Sequence, residues 1–373
     1  MNWQDFTEQT KPDTQKIEHI ITKTISQKVT KFKKISIALS SGIDSTLVLA
    51  ILRKVCPDIT VESISVTFSN SVDESPAAKK ISEKFDTNHH ILLIDNFFKE
   101  LPKAISIAKL PYWDLHWYNI AKKAKSLANV FLSGDGGDEL FGGYTFRYKK
   151  FLSLEKRHLT ALDRVKSYLA CHERDWVPDQ EKIFGKKIVF SWNEIYSLLG
   201  PYFDNKLAPL SQVFLADYNG KLLYNMVPLY HKFHNFFKLT YVAPLLTDKL
   251  ISYATHLPLG SKYDSEKNIG KILLLKILEK YNVGKLITEK KQGFSVNTVN
   301  LWNTDGHKLC KYYLDNAMIV KDGWIDKEWI KKYIEKTDLN VRYINKFLGL
   351  LAFEIWYRLF ITKEISENEL LEF

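Results

Sequence analysis

Between residues 14 and 134 the chain alternates helical and extended apolar patterns, and this alternation restricts the fold more than any other feature. Residues 14–29 place Ile17, Ile20, Ile21, Ile25 and Val29 at helical spacing, with Asp13 or Thr14 in position to cap. "KISIAL" (34–39) reads as a buried strand, "STLVLAILRKV" (45–55) as a helix and "VESISVTF" (61–68) as a strand. "SPAAKKISEKF" (75–85) opens on Ser-Pro, and a proline at the first helical position loses no hydrogen bond. "HHILLID" (89–95) is a further strand, 116–128 a helix and "NVFLSG" (129–134) another strand. Strands separated by helices of this length predict an α/β fold with a parallel sheet covered on both faces. In such sheets ligands sit beyond the carboxyl ends of the strands. From about residue 150 the pattern turns helical, as in "LTALDRVKSYL", "VFLADYNGKLLYNMVPLYHKFHNFF", "DKLISYATHL" and "IGKILLLKILEKY". No Gly, Ser or Pro linker separates the halves, so residues 1–150 and 151–373 are expected to form one continuous unit with the site between them.

Composition narrows the classes. A hydrophobic fraction of 45% with 13% aromatics supplies a sizeable core and excludes a disordered chain. No apolar run is long enough to cross a bilayer. The first residues, "MNWQDFTEQTKPD", are polar and acidic, unlike a secretory signal, so a cytoplasmic protein without a membrane partner is expected. Cys56, Cys171 and Cys310 lie far apart and suggest neither zinc nor a disulfide framework. Lys and Arg outnumber acids by 53 to 43, a balance that suits nucleic acid or a small anionic substrate. The cations are spread along the chain, and no appended RNA-binding module is visible, so no nucleic-acid partner is expected.

Two glycine-containing loops fall at the carboxyl ends of predicted strands. The first, "SSGIDST" (40–46), leads into a helix, whose N-terminal N–H groups attract anions while Gly42 allows close approach. It lacks the Gly-Lys-Ser/Thr ending of a Walker loop and carries Asp44 instead. An acid beside a phosphate makes sense if it holds Mg²⁺, which prefers oxygen ligands. The second, "SGDGGDELFGGY" (133–144), brings Asp135 and Asp138 onto a bare backbone. Asp138 supplies a second metal ligand on this reading, and Asp135 suits acid–base or orienting work. Either loop alone also admits the weaker reading of an ordinary turn with capping acids; the two together, on a βα pattern, favour ATP with Mg²⁺.

"LSSGIDST" resembles the pyrophosphatase loop of the N-type ATP pyrophosphatases, usually Ser-Gly-Gly-x-Asp-Ser. "SGDGGDELFGGY" resembles the signature of the synthetase domain in the asparagine synthetase family. "FLADY", "YVAPLLTDKLISYATHLP", "GKILL" and "KKQGFSV" follow in that family's order, so the resemblance runs from about Ile17 to about Ile365. It implies a PP-loop core of the adenine nucleotide alpha hydrolase type. It also implies cleavage of ATP between its α and β phosphates, an acyl-adenylate, and attack by ammonia to give an amide, by default asparagine from aspartate. The resemblance places pyrophosphate on Ser40, Ser41, Gly42, Asp44 and Ser45, and Mg²⁺ on Asp44 and Asp138. It places adenosine on the main chain of Leu39, Val66 and Gly134, with Ser133 adjoining. Asp135 and Asp217 match an acidic pair beside the acyl-adenylate. Lys291 matches a lysine near the α-phosphate, and Lys271 a lysine that precedes a helix.

The sequence departs from that family in three places. Ser41 replaces the usual second glycine of the loop. Asn2 stands where the glutaminase nucleophile, a cysteine, would follow the initiator methionine, and only 39 residues precede Ser40. Nitrogen is therefore expected as free ammonia, from a separate glutaminase subunit or from another amine. In "TYVAPLLTD", Thr240 and Val242 stand where the family carries an acid and an arginine, which opens the acceptor to another carboxylate, as in β-lactam synthetases or sugar-acid amidation. A catalytically silent binding protein is the rival from another class, though Asp44, Asp138 and Lys291 are all retained. His231 and His234 lie three apart without an apparent third metal ligand, and the run "HNFFKLTY" reads as core or as an interface that leaves room for a homodimer.

Overall fold

A computed structural model of the chain describes residues 1–68, 75–155, 159–287 and 297–371. Its centre is a five-stranded sheet in the order β3-β2-β1-β4-β5. The strands are β1 (Lys34–Ala38), β2 (Thr60–Phe68), β3 (Asn88–Ile94), β4 (Val130–Leu132) and β5 (Thr240–Val242). All neighbouring pairs are parallel, with Ile37 opposite Ser63 on one side and Leu132 on the other. The connecting helices are α1 (Thr14–Val29) ahead of β1, α2 (Ile43–Val55), α3 (Ser75–Lys84), and α4 (Leu101–Ala108) with α5 (His116–Leu127) before β4. Then come α6 (Gly137–Phe141) and α7 (Thr145–Leu154).

Side-chain alternation along the strands divides the interior into two cores. Ile35, Ile37, Val130 and Leu132 pack with α1, α2 and the helix Ile272–Glu279 on one face. Ala38, Ile64 and Phe131 pack with α4, α5 and the long helix Val341–Tyr357 on the other. Burial of both faces is why the strands read as nearly continuous apolar runs. Each core draws residues from both sides of position 150, and β5 from the second half completes the sheet.

The helix and strand expectations between 14 and 134 are met to within two or three residues at each end. The long helical reading of 213–237 resolves into an α-helix to Ala216, a π-helical stretch Asp217–Met226, and an α-helix from Val227. In that stretch the hydrogen-bond ladder widens, and the N–H of Val227 bonds the carbonyl of Leu222, five residues back. Helical periodicity alone does not disclose such a widening.

Candidate functional site

The β1–α2 loop turns through Ser40 and Gly42, and Gly42 caps α2 with extended backbone. Its hydroxyls brace the turn: Ser40 N–H donates to Ser45 Oγ at 3.1 Å and Gly42 N–H to Ser40 Oγ at 3.1 Å. Thr46 Oγ1 returns a bond to the Gly42 carbonyl at 2.7 Å. Asp44 and Ser45 lie in the first turn of α2, both buried, and Ser41 is buried as well. The N–H of Leu39 extends the sheet by bonding the Ile64 carbonyl at 2.8 Å, and its own carbonyl accepts Ser65 Oγ at 2.7 Å. Val66, near the end of β2, is paired with Leu92.

The β4–α6 loop is pressed against this turn. A Cβ on Gly134 would lie 2.7 Å from the Ser45 nitrogen and 2.8 Å from Asp44 Cβ. A Cβ on Gly137 would run into Asp44 Oδ1, and one on Gly143 into Asp138 Oδ1. The bare backbone is therefore needed so that two acid-bearing loops touch.

What joins them is Lys271. This residue is buried, holds left-handed backbone (φ 56°) and heads the helix Ile272–Glu279. Its ammonium pairs with Asp44 Oδ2 and lies 2.5 Å from Asp138 Oδ1. A cation thus sits between carboxylates from two different strand ends. The sequence singles out Lys271 only as the lysine before a helix; its place after Gly270, heading an apolar helix, is the signal that it points inward.

On the far side of the second loop, Ser133 Oγ bonds Tyr241 Oη at 2.6 Å, and Tyr241 Oη donates a short bond to Asp135 Oδ2. Burial pushes the Asp135 carboxyl up; bonds from Tyr241 and Ser133 oppose this, and the charges of Asp44 and Asp138 reinforce it. Tyr241 stacks on His234, whose ring lies 3.9 Å away, and His234 Nε2 accepts Trp117 Nε1–H at 2.9 Å. Burial holds His234 neutral, down at about 3. This phenol was not foreseen, because Tyr241 falls between the two family positions that "TYV" lacks.

Asp217 stands apart from Asp135. It is fully buried at the start of the π-helical stretch and accepts Tyr168 Oη at 2.9 Å. His172 Nε2 lies 3.7 Å away and Arg147 Nη1 3.9 Å away. Burial opposes its charge, but His172, Arg147 and Lys221 outweigh this and hold the carboxyl below its ordinary value. The two expected partners therefore face different neighbours: Asp135 the carboxylates of Asp44 and Asp138, Asp217 a set of cations. Lys291 lies outside the described residues. His231 bonds Asn235 at 2.9 Å, and among the described residues no group of three or more His, Cys, Asp or Glu could hold a metal by itself. No helix among them is long and apolar enough to cross a membrane.

An asparagine synthetase (glutamine-hydrolyzing) 1 from Bacillus subtilis is 24% identical over 372 residues, covering 89% of this chain and 57% of that protein. A Methanocaldococcus jannaschii protein, provisionally named asparagine synthetase (glutamine-hydrolyzing) 2, is 35% identical over 111 residues, or 28% of this chain and 22% of its own. The chain thus spans well under two thirds of the length of these relatives. A solved NMN synthetase from Francisella tularensis aligns over 61% of this chain and 94% of its own at TM-score 0.28 and 12% identity, a likeness too slight to argue from. The family model described as asparagine synthase matches residues 16–358, and the chain belongs to the asparagine synthase family.

Proposed function

We propose that the chain is an ATP-dependent, AMP-forming amide ligase that adenylates a carboxylic acid, aspartate by default, and passes ammonia to it. The observation that carries this reading is the convergence of Asp44 and Asp138, from two strand ends, on one buried ammonium. In the first step an acceptor carboxylate oxygen bonds the α-phosphorus of ATP and pyrophosphate leaves. In the second, ammonia bonds the acyl carbon, AMP leaves with the electron pair of the broken C–O bond, and the nitrogen loses a proton. The Ser40–Ser45 loop and the N-terminus of α2 present N–H groups and hydroxyls for the departing pyrophosphate. Lys271 and Lys291 offset charge that develops on the phosphoryl oxygens. Asp135, raised by burial and steadied by Tyr241, receives the proton from the attacking nitrogen. Asp217 has no surface to offer a substrate, so its part is to position Arg147.

Mg²⁺ fits this site. Asp44 and Asp138 present hard oxygen donors from two loops and already enclose one cation, the Lys271 ammonium. They would hold the ion, which supplies charge neutralisation on the polyphosphate. Nitrogen arrives as free ammonia or from a separate glutaminase, in the cytoplasm. Another carboxylate acceptor is the second reading, favoured by Thr240 and Val242 in place of an acid and an arginine on β5.

The test is pyrophosphate release from ATP with Mg²⁺, aspartate and ammonium, followed by detection of AMP and the amide. The proposal expects acceptor-dependent release in stoichiometry with AMP. Absence of release with every acid tried, together with no effect of ATP on the melting temperature, would leave a silent binding protein.

A further inference from the structure

We infer that β3 is a self-pairing edge, through which two copies of this chain join their sheets into one. The two β3 strands run antiparallel across a two-fold axis, so the dimer is symmetric. This surface lies at the opposite edge of the sheet from β5 and does not depend on the ligase reading.

The two edges of the sheet are finished differently. β5 is three residues long and Pro244 follows close behind it. β3 is seven residues long and pairs with β2 residue for residue, without a bulge. It carries no lysine, acid or proline. Shortness, charge, proline and bulges are the devices that keep an exposed edge from pairing, and β3 has none of them. Among the described residues no backbone hydrogen bond reaches its outer side. Its faces are open as well. Towards α3, where His89 Nδ1 meets Ser63 Oγ at 3.0 Å, Ile91 and Leu93 are 52% and 57% exposed. On the other face Leu92 and Ile94 line a groove of about 390 Å³ with Phe97, Leu101, Tyr118 and Lys122.

The order of residues along β3 selects a second copy as the occupant. A two-fold axis through Leu92 sets Ile91 of each copy opposite Leu93 of the other, on one face. The two exposed aliphatic side chains then cover each other, the kind of cross-strand pair that stabilises a sheet. The same register brings the exposed Asp95 of one copy towards His89 of the other, an acid to an imidazole. Moving the axis to Leu93 would set Ile91 against Asp95, and moving it to Ile91 would set Leu93 against His89. The central register is thus the self-complementary one. It adds roughly four to six backbone hydrogen bonds. Because the strands run antiparallel, their carboxyl ends point in opposite directions, and the two Ser40–Ser45 loops stay clear of the seam. Strand pairing buries less than the roughly 800 Å² per partner of a standard interface, so a dissociation constant on the order of 1–10 µM is expected.

Sedimentation of the full chain between about 1 and 100 µM is the test. The mass is expected to rise from that of one chain to that of two. Leu93→Lys puts a cation at an exposed position that folding does not need, and it should weaken the dimer about thirtyfold or more with the melting temperature of the monomer unmoved. Ile91→Lys is the second variant and should do the same. Leu92→Cys supplies a readout of register. Residues opposite each other in an antiparallel pair have Cα atoms about 4.5–5.5 Å apart, within disulfide reach. Oxidised glutathione should therefore join that variant into a covalent dimer and leave the unsubstituted protein, with Cys56, Cys171 and Cys310, unjoined. A chain that stays monomeric at about 100 µM overturns the inference and leaves β3 to a different protein. So does a dimer that both lysine variants leave as tight as before, which would place the seam elsewhere.

Discussion

On the proposed reading, the side that takes nucleotide and the side that takes the acceptor are built in opposite ways. The nucleotide side comes from two short contiguous loops, Ser40–Ser45 and Ser133–Gly143, whose glycines exist so that Asp44 and Asp138 meet. The other side gathers Arg147, Asp217, Lys221 and Tyr241 from three separate elements, linked through Tyr144, Tyr168 and His234. On that reading, the chemistry shared by every acceptor is written as a motif, whereas the groups proposed to select among acceptors are assembled by tertiary packing. The nucleotide side should therefore fail abruptly under single substitutions, and the acceptor side gradually.

The largest effect is expected at Asp138. Asp138→Ala should lower Mg²⁺-dependent turnover by about a thousandfold or more with the melting temperature nearly unchanged, because a proposed metal ligand is lost while Asp44 still pairs with Lys271. Retained turnover in a steady-state assay would break the metal assignment. Next comes Lys291→Ala, for which single-turnover adenylation should slow about a hundredfold, the usual loss when one transition-state charge partner is removed. Gly137→Ala places a methyl group against Asp44 Oδ1 and should cost about 1–3 kcal/mol in denaturant unfolding. An unchanged midpoint would mean that the loops are not in contact.

On the acceptor side, Lys221→Met should stabilise the protein at neutral pH. The native value of about 8 lies below the ordinary 10.5 because burial, then Arg147, oppose the charge. Below pH 8 the ammonium is charged in both states, and the native state bears the full penalty. Between pH 8 and 10.5 only the unfolded chain keeps the proton, so the penalty fades as pH rises. Urea melts at pH 7 should therefore show a gain on the order of 1–3 kcal/mol that disappears by about pH 10.5. A loss of stability at pH 7 would contradict the picture of an unneutralised ammonium. The smallest effect is expected from Tyr241→Phe, which removes one hydrogen bond to Asp135 and keeps the stack on His234. About a fivefold fall in kcat is expected, with the KM for ATP unmoved.

The same division decides what the sequence discloses. β1 to β4 and the helices between them are legible because their apolar spacing is dictated by burial on both faces of the sheet. β5 escapes notice because Thr240–Val242 is three residues long, too short to show a period. Asp44 and Asp138 are legible because their glycine neighbours mark a close approach. The role of Lys271 is not, since only the fold brings it back to Asp44, 227 residues earlier in the chain, and to Asp138. Asp217 and Asp135 read as a pair from family order, yet one is sealed among Tyr168, His172 and Arg147 while the other faces Tyr241. Arg147 lies three residues beyond Tyr144, a helical neighbour that the sequence does offer, but its partnership with Lys221 depends on the π-helical stretch.

Titration of Mn²⁺ into the protein with α,β-methylene-ATP, followed by electron paramagnetic resonance of the free ion, tests most directly whether Asp44 and Asp138 share one metal–nucleotide site. The account predicts a single tight ion per chain that depends on nucleotide and is lost in both Asp44→Asn and Asp138→Asn. Undiminished Mn²⁺ binding in either variant would contradict it.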